Sequence, residues 1–206
     1  AEHQLALDHT LIRKGKGLLF VPAMTDGYRE PNYQIFQNGD EIATLRRFNL
    51  GPYDAAVAEL NGRREVQTVT LDGDPIEDVT SPILGMTVWK VGRTTGRTRG
   101  MIDGVRMSTL LNYGPAGSKM MTDVLRIVPL PGAGNAEISM GGDSGAIWVD
   151  EESGKAVGLH FAGEIGQAPE HALANDLQAV LTALNVLLPA QLAPAAPGPA
   201  EVEPPI

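Results

Sequence analysis

Apolar residues in this chain come in short runs, each stopped within a few positions by glycine, proline or an Asx-Gly pair. The runs cover residues 18–21, 34–36, 41–48, 66–71, 104–111, 122–128, 146–149 and 156–163. Segments of that length fit strands and are too short for most helices. With 24 Gly and 15 Pro among 206 residues, many turns joining short strands are expected, and all-β is the expected class. Asn38-Gly39, between the second and third runs, reads as a hairpin turn. One stretch departs from this pattern. Over 174–188 the residues Leu177, Val180, Leu181, Leu184 and Leu188 follow the spacing of one buried helical face, so a C-terminal helix is expected there. From 189 the chain is Pro/Ala-rich without periodicity and reads as an extended tail.

Composition narrows the function classes. A hydrophobic fraction of 43% is enough to bury a core, and the net charge of −9 disfavours nucleic acid or an anionic membrane as partner. With no cysteine there is no disulfide, no thiolate chemistry and no Cys-ligated metal. No apolar run reaches the length of a membrane span, and the first residues lack a signal-peptide pattern, so a soluble chain is expected and its compartment is left open.

The chemistry-bearing stretch is Met140-Gly141-Gly142-Asp143-Ser144-Gly145, which runs straight into Ala146-Ile147-Trp148-Val149. Glycines on both sides of a serine let backbone N–H groups approach a bound carbonyl, and the strand behind fixes the serine. An acyl-transfer nucleophile needs both. The alternative is a plain turn with Asp-Ser-Gly chemistry. The spacing does not fit the Gly-x-Ser-x-Gly elbow of α/β-hydrolases, since Ala146 stands where glycine is needed, and this disfavours a lipase or esterase. Two further residues stand out. Asp54, followed by Ala-Ala-Val-Ala, reads either as a helix N-cap or as the head of a strand. His9 reads either as a solvated terminal residue or as a general base. Residues 90–96, Lys-Val-Gly-Arg-Thr-Thr-Gly, lack the Gly-x-x-x-x-Gly-Lys pattern of a phosphate loop.

Gly142-Asp143-Ser144-Gly145 resembles the nucleophile turn of chymotrypsin-like serine proteases, and Lys90 to Gly96 resembles the opening strand of the second barrel in bacterial members such as alpha-lytic protease. In chymotrypsin the chain order is His, Asp, Ser, with separations of about 45 and about 93 residues. Here His9 precedes Asp54 by 45 positions and Asp54 precedes Ser144 by 90. His160 and His171 follow the serine, and His3 leaves no room for a strand before it.

The resemblance, over about residues 1–188, implies two six-stranded-type antiparallel β-barrels and a C-terminal helix. The first lobe would be 1–80 with His9 and Asp54, the second 86–188 with Ser144, and the tail 189–206, with 72–85 as linker. It implies a serine endopeptidase that needs no metal or cofactor and takes a protein or peptide substrate. Ser144 would be the nucleophile, His9 the base and Asp54 its orienting acid, with the N–H groups of Gly142 and Ser144 as oxyanion hole. A Lys90–Asp143 ion pair would hold that turn open. Ile138, Ser139, His160, Phe161, Ala162 and Gly163 would line the substrate site, whose base has no Asp or Glu to select Lys or Arg. Ser139 with His160 resembles the pair that glutamyl endopeptidases use for a carboxylate; the alternative is an apolar pocket above a buried His160.

The family has strands before the histidine, whereas eight residues precede His9, so the first barrel would lack its earliest strands and the chain's own N-terminal segment is a candidate partner. Asp8 stands where the family has Ala or Asn. A pseudoprotease that binds peptides in the same cleft without turnover is the competing class.

Overall fold

The structure, a computed structural model, describes residues 10–13, 16–21, 34–37, 40–62, 69–164 and 167–188. Five strands form the first antiparallel sheet: β1 (Thr10–Arg13), β2 (Lys16–Val21), β3 (Gln34–Gln37), β4 (Asp40–Leu50) and β5 (Asp54–Leu60), in the order β1-β2-β5-β4-β3. Six more close into a barrel: β6 (Thr87–Gly92), β7 (Gly96–Asn112), β8 (Ser118–Val128), β9 (Ile147–Asp150), β10 (Ala156–Gly163) and β11 (Ala172–Asp176), in the order β10-β11-β8-β7-β6-β9. The helix α1 (Leu177–Leu184) follows. This is the two-sheet, all-β architecture that the strand pattern and the resemblance imply. No helix among the described residues is long and apolar enough to cross a membrane.

Asp54 heads a strand and not a helix because both faces of β5 are needed. Ala56 and Ala58 pack with Ile42, Ala43 and Leu45 in the core of the first sheet. The alternate residues Ala55 and Val57 pack with Ile147, Val149, Leu159 and the helix. Period-two burial of small side chains on both faces overrides the helix propensity of alanine.

The helix is shorter than the expected 174–188. Ala172 to Asn175 are buried in β11, between β10 and β8, where they close the barrel. Asp176 then caps the helix, accepting from the N–H groups of Gln178 and Ala179, and Asn185 ends it in the left-handed region with φ 50°. Leu177, Val180, Leu181 and Leu184 turn inward as their spacing implies, each contributing about 1.5–3 kcal/mol by burial. Because this cluster holds residues of both sheets, the helix ties the lobes together.

The 72–85 segment is also pinned. Ala156 N–H donates to Asp78 O and Thr80 N–H to Ala156 O, both at 2.9 Å.

Candidate active site

The turn before β9 is shaped by two glycines with positive φ, Gly142 at 105° and Gly145 at 95°. A Cβ on Gly142 would collide with the Arg93 guanidinium and the Thr94 hydroxyl, so this position is closed to other residues. Asp143 N–H donates to Met140 O (3.0 Å), Gly145 N–H to His160 O (2.8 Å) and Ala146 N–H to Asp143 O (2.9 Å). The intervening N–H groups of Gly142 and Ser144 have no partner among the described residues. Two unclaimed donors therefore flank Asp143 in the backbone that carries Ser144.

Asp143 is the anchor of the turn. Its carboxylate, fully buried, accepts from Thr94 N–H (2.8 Å), Thr95 N–H (3.2 Å), the Thr95 hydroxyl (2.6 Å) and Met140 N–H (3.2 Å). Lys90 Nζ stands 3.0 Å from it, equally buried, and 5.6 Å from the Trp148 ring centroid. The barrel turns alternate residues of β6 inward, so Lys90 enters the core beside Val88. Gly92 leaves the space: a Cβ there would overlap the Asp143 carboxylate. The Lys-Val-Gly-Arg-Thr-Thr-Gly run thus supplies the ammonium, the gap and the threonine donors of one buried site.

Burial opposes ionisation of Asp143, but the Thr95 hydroxyl, Thr94 N–H and Lys90 outweigh it and hold its pKa at about 2, below the ordinary 3.8. A depressed carboxylate stabilises the fold above its unfolded pKa and loses that contribution as pH falls through the folded value. About 2 kcal/mol is expected to disappear between pH 5 and pH 2 from this group. A carboxyl 13C titration should show Asp143 ionised down to about pH 2; protonation in the ordinary Asp range near 4 would contradict the account.

Ser144, Ser139, His160, Phe161, Ala162 and Gly163 line one cavity of about 440 Å³, together with Tyr113 and Glu164. A Cβ on Gly163 would sit 3.1 Å from the Ser139 hydroxyl, so glycine keeps that slot open. Ile138, expected to line the pocket, packs instead in the barrel core with Val88, Ile102 and Trp148. His160 is buried against Trp148, and burial with the Lys90 charge lowers its pKa to about 3, so it is neutral at pH 7.

Sequence spacing places no Asp or Glu at the pocket base, yet two carboxylates stand close to it. Glu164 lines it, and buried Glu170 accepts from the N–H groups of Ile138 (2.9 Å) and Ser139 (3.2 Å). The carboxylates of Glu137, Glu164 and Glu170 lie within 4.8 Å of one another, the one such group with hard-cation donors among the described residues. Burial, then repulsion from Glu164 and Glu137, raises the Glu170 pKa against the pull of the Ile138 N–H. Glu164 follows β10 and Glu170 precedes β11, and the antiparallel pairing of these strands brings both toward Ser139.

Asp54 is buried at the head of β5. Its N–H donates to Asn175 Oδ1 (3.0 Å), and its Oδ2 accepts from the Tyr113 hydroxyl (3.0 Å). Tyr113 also lines the Ser144 cavity, so it connects Asp54 to that cavity. His9 lies outside the described residues, as does the tail. Tyr113 carried no sequence signal beyond a turn. Asn175 carried none either, since the sequence placed it in the expected helix.

No family model matches the chain, and no curated protein matches it in sequence. Solved structures do match. A glutamic acid-specific serine protease with a histidine triad in substrate binding shares 17% identity at a TM-score of 0.65, covering 87% of this chain and 90% of that one. Nocardiopsis protease shares 16% at 0.65, covering 88% and 89%. An alpha-lytic protease homologue, N4, shares 16% at 0.58, covering 87% and 90%. At these identities the likeness shows the fold alone, and that fold is the one of bacterial chymotrypsin-like serine proteases.

Proposed function

We propose that the chain is a serine endopeptidase, with Ser144 as nucleophile, His9 as general base and Asp54 as the acid that orients it. The observation that carries this reading is the pair of unclaimed N–H donors, Gly142 and Ser144, in a turn anchored by a buried carboxylate and opening on a cavity. Ser144 Oγ attacks the peptide carbonyl as its proton passes to His9. The oxyanion forms against the two N–H groups, and the imidazolium returns the proton to the leaving amine. Water, deprotonated by the same histidine, then hydrolyses the ester. Donors fixed before the reaction stabilise the developing charge without reorganising, an effect worth about 3–4 kcal/mol per donor in mutagenesis of such sites.

The pocket chemistry points away from acidic side chains. A substrate carboxylate would enter beside Glu164 and above Glu170, while neutral His160 offers no charge to offset them. A quenched-peptide library tests both levels of the proposal. Turnover is expected, with cleavage after Glu or Asp at least about tenfold poorer than after large apolar residues, the cost of one uncompensated charge contact. His160→Val is expected to leave that order unchanged. Preferred cleavage after Glu that disappears in His160→Val would overturn the specificity, and no cleavage of any peptide would overturn the hydrolase.

A further inference from the structure

The β7–β8 hairpin leaves the closed barrel and lies against the segment that leads into Asp54. Thr122 N–H donates to Pro52 O at 3.0 Å, and the Tyr53 hydroxyl bonds Asp123 Oδ2 at 3.0 Å. A Cβ on Gly51 would meet Met120 O at 3.4 Å. At the hairpin tip Tyr113 N–H donates to Gly117 O and Ala116 N–H to Tyr113 O, both at 3.1 Å. That tight tip fixes the tyrosine over the acid.

We propose that Tyr113 is a positioning residue for the reaction: its hydroxyl, delivered by the β7–β8 hairpin across the lobe interface, donates to Asp54 Oδ2 and fixes the carboxylate that orients the base. The proposal rests on the hydrolase reading above. A carboxylate has two oxygens and several lone pairs, so one that must face an imidazole in a single rotamer needs its second oxygen held elsewhere. The Tyr113 hydroxyl does this at 3.0 Å, while Asn175 Oδ1 holds the Asp54 backbone from β11 at 3.0 Å. These two contacts, from Tyr113 and Asn175, reach the acid from the second lobe, so lobe registry bears directly on acid orientation. Burial and the Asp54 charge raise the phenol pKa, which keeps Tyr113 a donor over the whole range in which such an enzyme works.

Tyr113→Phe tests this, since it deletes one hydroxyl and keeps the ring. The kcat/KM is expected to fall by about 10-fold to 100-fold, the worth of one hydrogen bond to a charged group, mostly in kcat with KM within about twofold. The acid limb of the pH profile is expected to move upward, because a carboxylate that has lost a donor holds an adjacent imidazolium more strongly. A purely structural tyrosine would lower the melting temperature without moving that limb. A wild-type rate and pH profile in Tyr113→Phe overturns the proposal.

A second readout is independent of turnover. Ring-13C tyrosine spectra, with the Tyr113 signal assigned by its absence in Tyr113→Phe, should show a phenol resisting ionisation well above the ordinary value of about 10 and ionising at lower pH in Asp54→Asn. Ionisation that ignores Asp54 overturns the hydrogen bond. Inactivity of the wild type alone counts against the hydrolase reading and leaves this titration decisive for the contact.

Discussion

Peptide hydrolysis is expected to fall by roughly 10⁵-fold to 10⁶-fold in Ser144→Ala, while the melting transition stays close to that of the wild type. The asymmetry follows from what the serine touches. It is half-buried on the cavity wall, and its turn is held by Asp143 and by the Gly145 and Ala146 N–H bonds, so deleting one oxygen removes no structural contact. Residues of a relay act as a unit, and losing the nucleophile costs about as much as losing the whole relay. What remains would come from the oxyanion donors and substrate binding alone. Hydrolysis at wild-type rate in this variant, on purified protein with a matched melting curve, would remove Ser144 from the chemistry.

Lys90→Met is expected to cost about 3–5 kcal/mol of stability, the range for breaking a buried ion pair by removing one partner. Methionine fills much of the lysine volume, so the loss reports the charge and not a cavity. Asp143 would keep its threonine donors but lose the cation 3.0 Å away. The sign with pH is specific. Without the lysine the carboxylate is harder to ionise, so its folded pKa rises, and the variant's deficit should narrow as the pH falls and Asp143 takes a proton. Adding Asp143→Asn to Lys90→Met should recover part of the loss at neutral pH. Urea unfolding at pH 7 and pH 4.5 reads both effects. A loss below about 1 kcal/mol, the value of an exposed pair, would contradict the picture of a charge-locked turn.

Much of this architecture is written locally. The strand runs and the inward leucines of α1 depend on periodicities of two and 3.6 that neighbouring residues already display, while the turn expected at Asn38-Gly39 lies outside the described residues. The Gly142–Gly145 turn is legible for a similar reason, because Gly142 and Gly145 are needed for backbone geometry and Asp143 with Ser144 lies between them. Lys90 and Asp143, 53 positions apart, could be paired only through the family pattern.

What the sequence hid is set by long-range closure. Ala172, Leu173 and Ala174 would suit a helix start, yet the barrel takes residues 172–176 as its closing strand, and the cap at Asp176 moves the helix downstream. Glu164 and Glu170 flank the β10–β11 connection, and their chemistry appears only when the pairing of those strands brings them to Ser139. Tyr113 reaches Asp54 from 59 positions away, a distance at which no spacing rule operates.

The most direct test of the central claim is to treat the full chain with a fluorophosphonate, which reacts with a serine only when a base and an oxyanion site activate it, and to map the adduct by mass spectrometry. The account predicts stoichiometric modification at Ser144, lost in Ser144→Ala and slowed in Asp54→Asn. Folded protein that takes up no phosphonate, or carries it on any other residue, would contradict it.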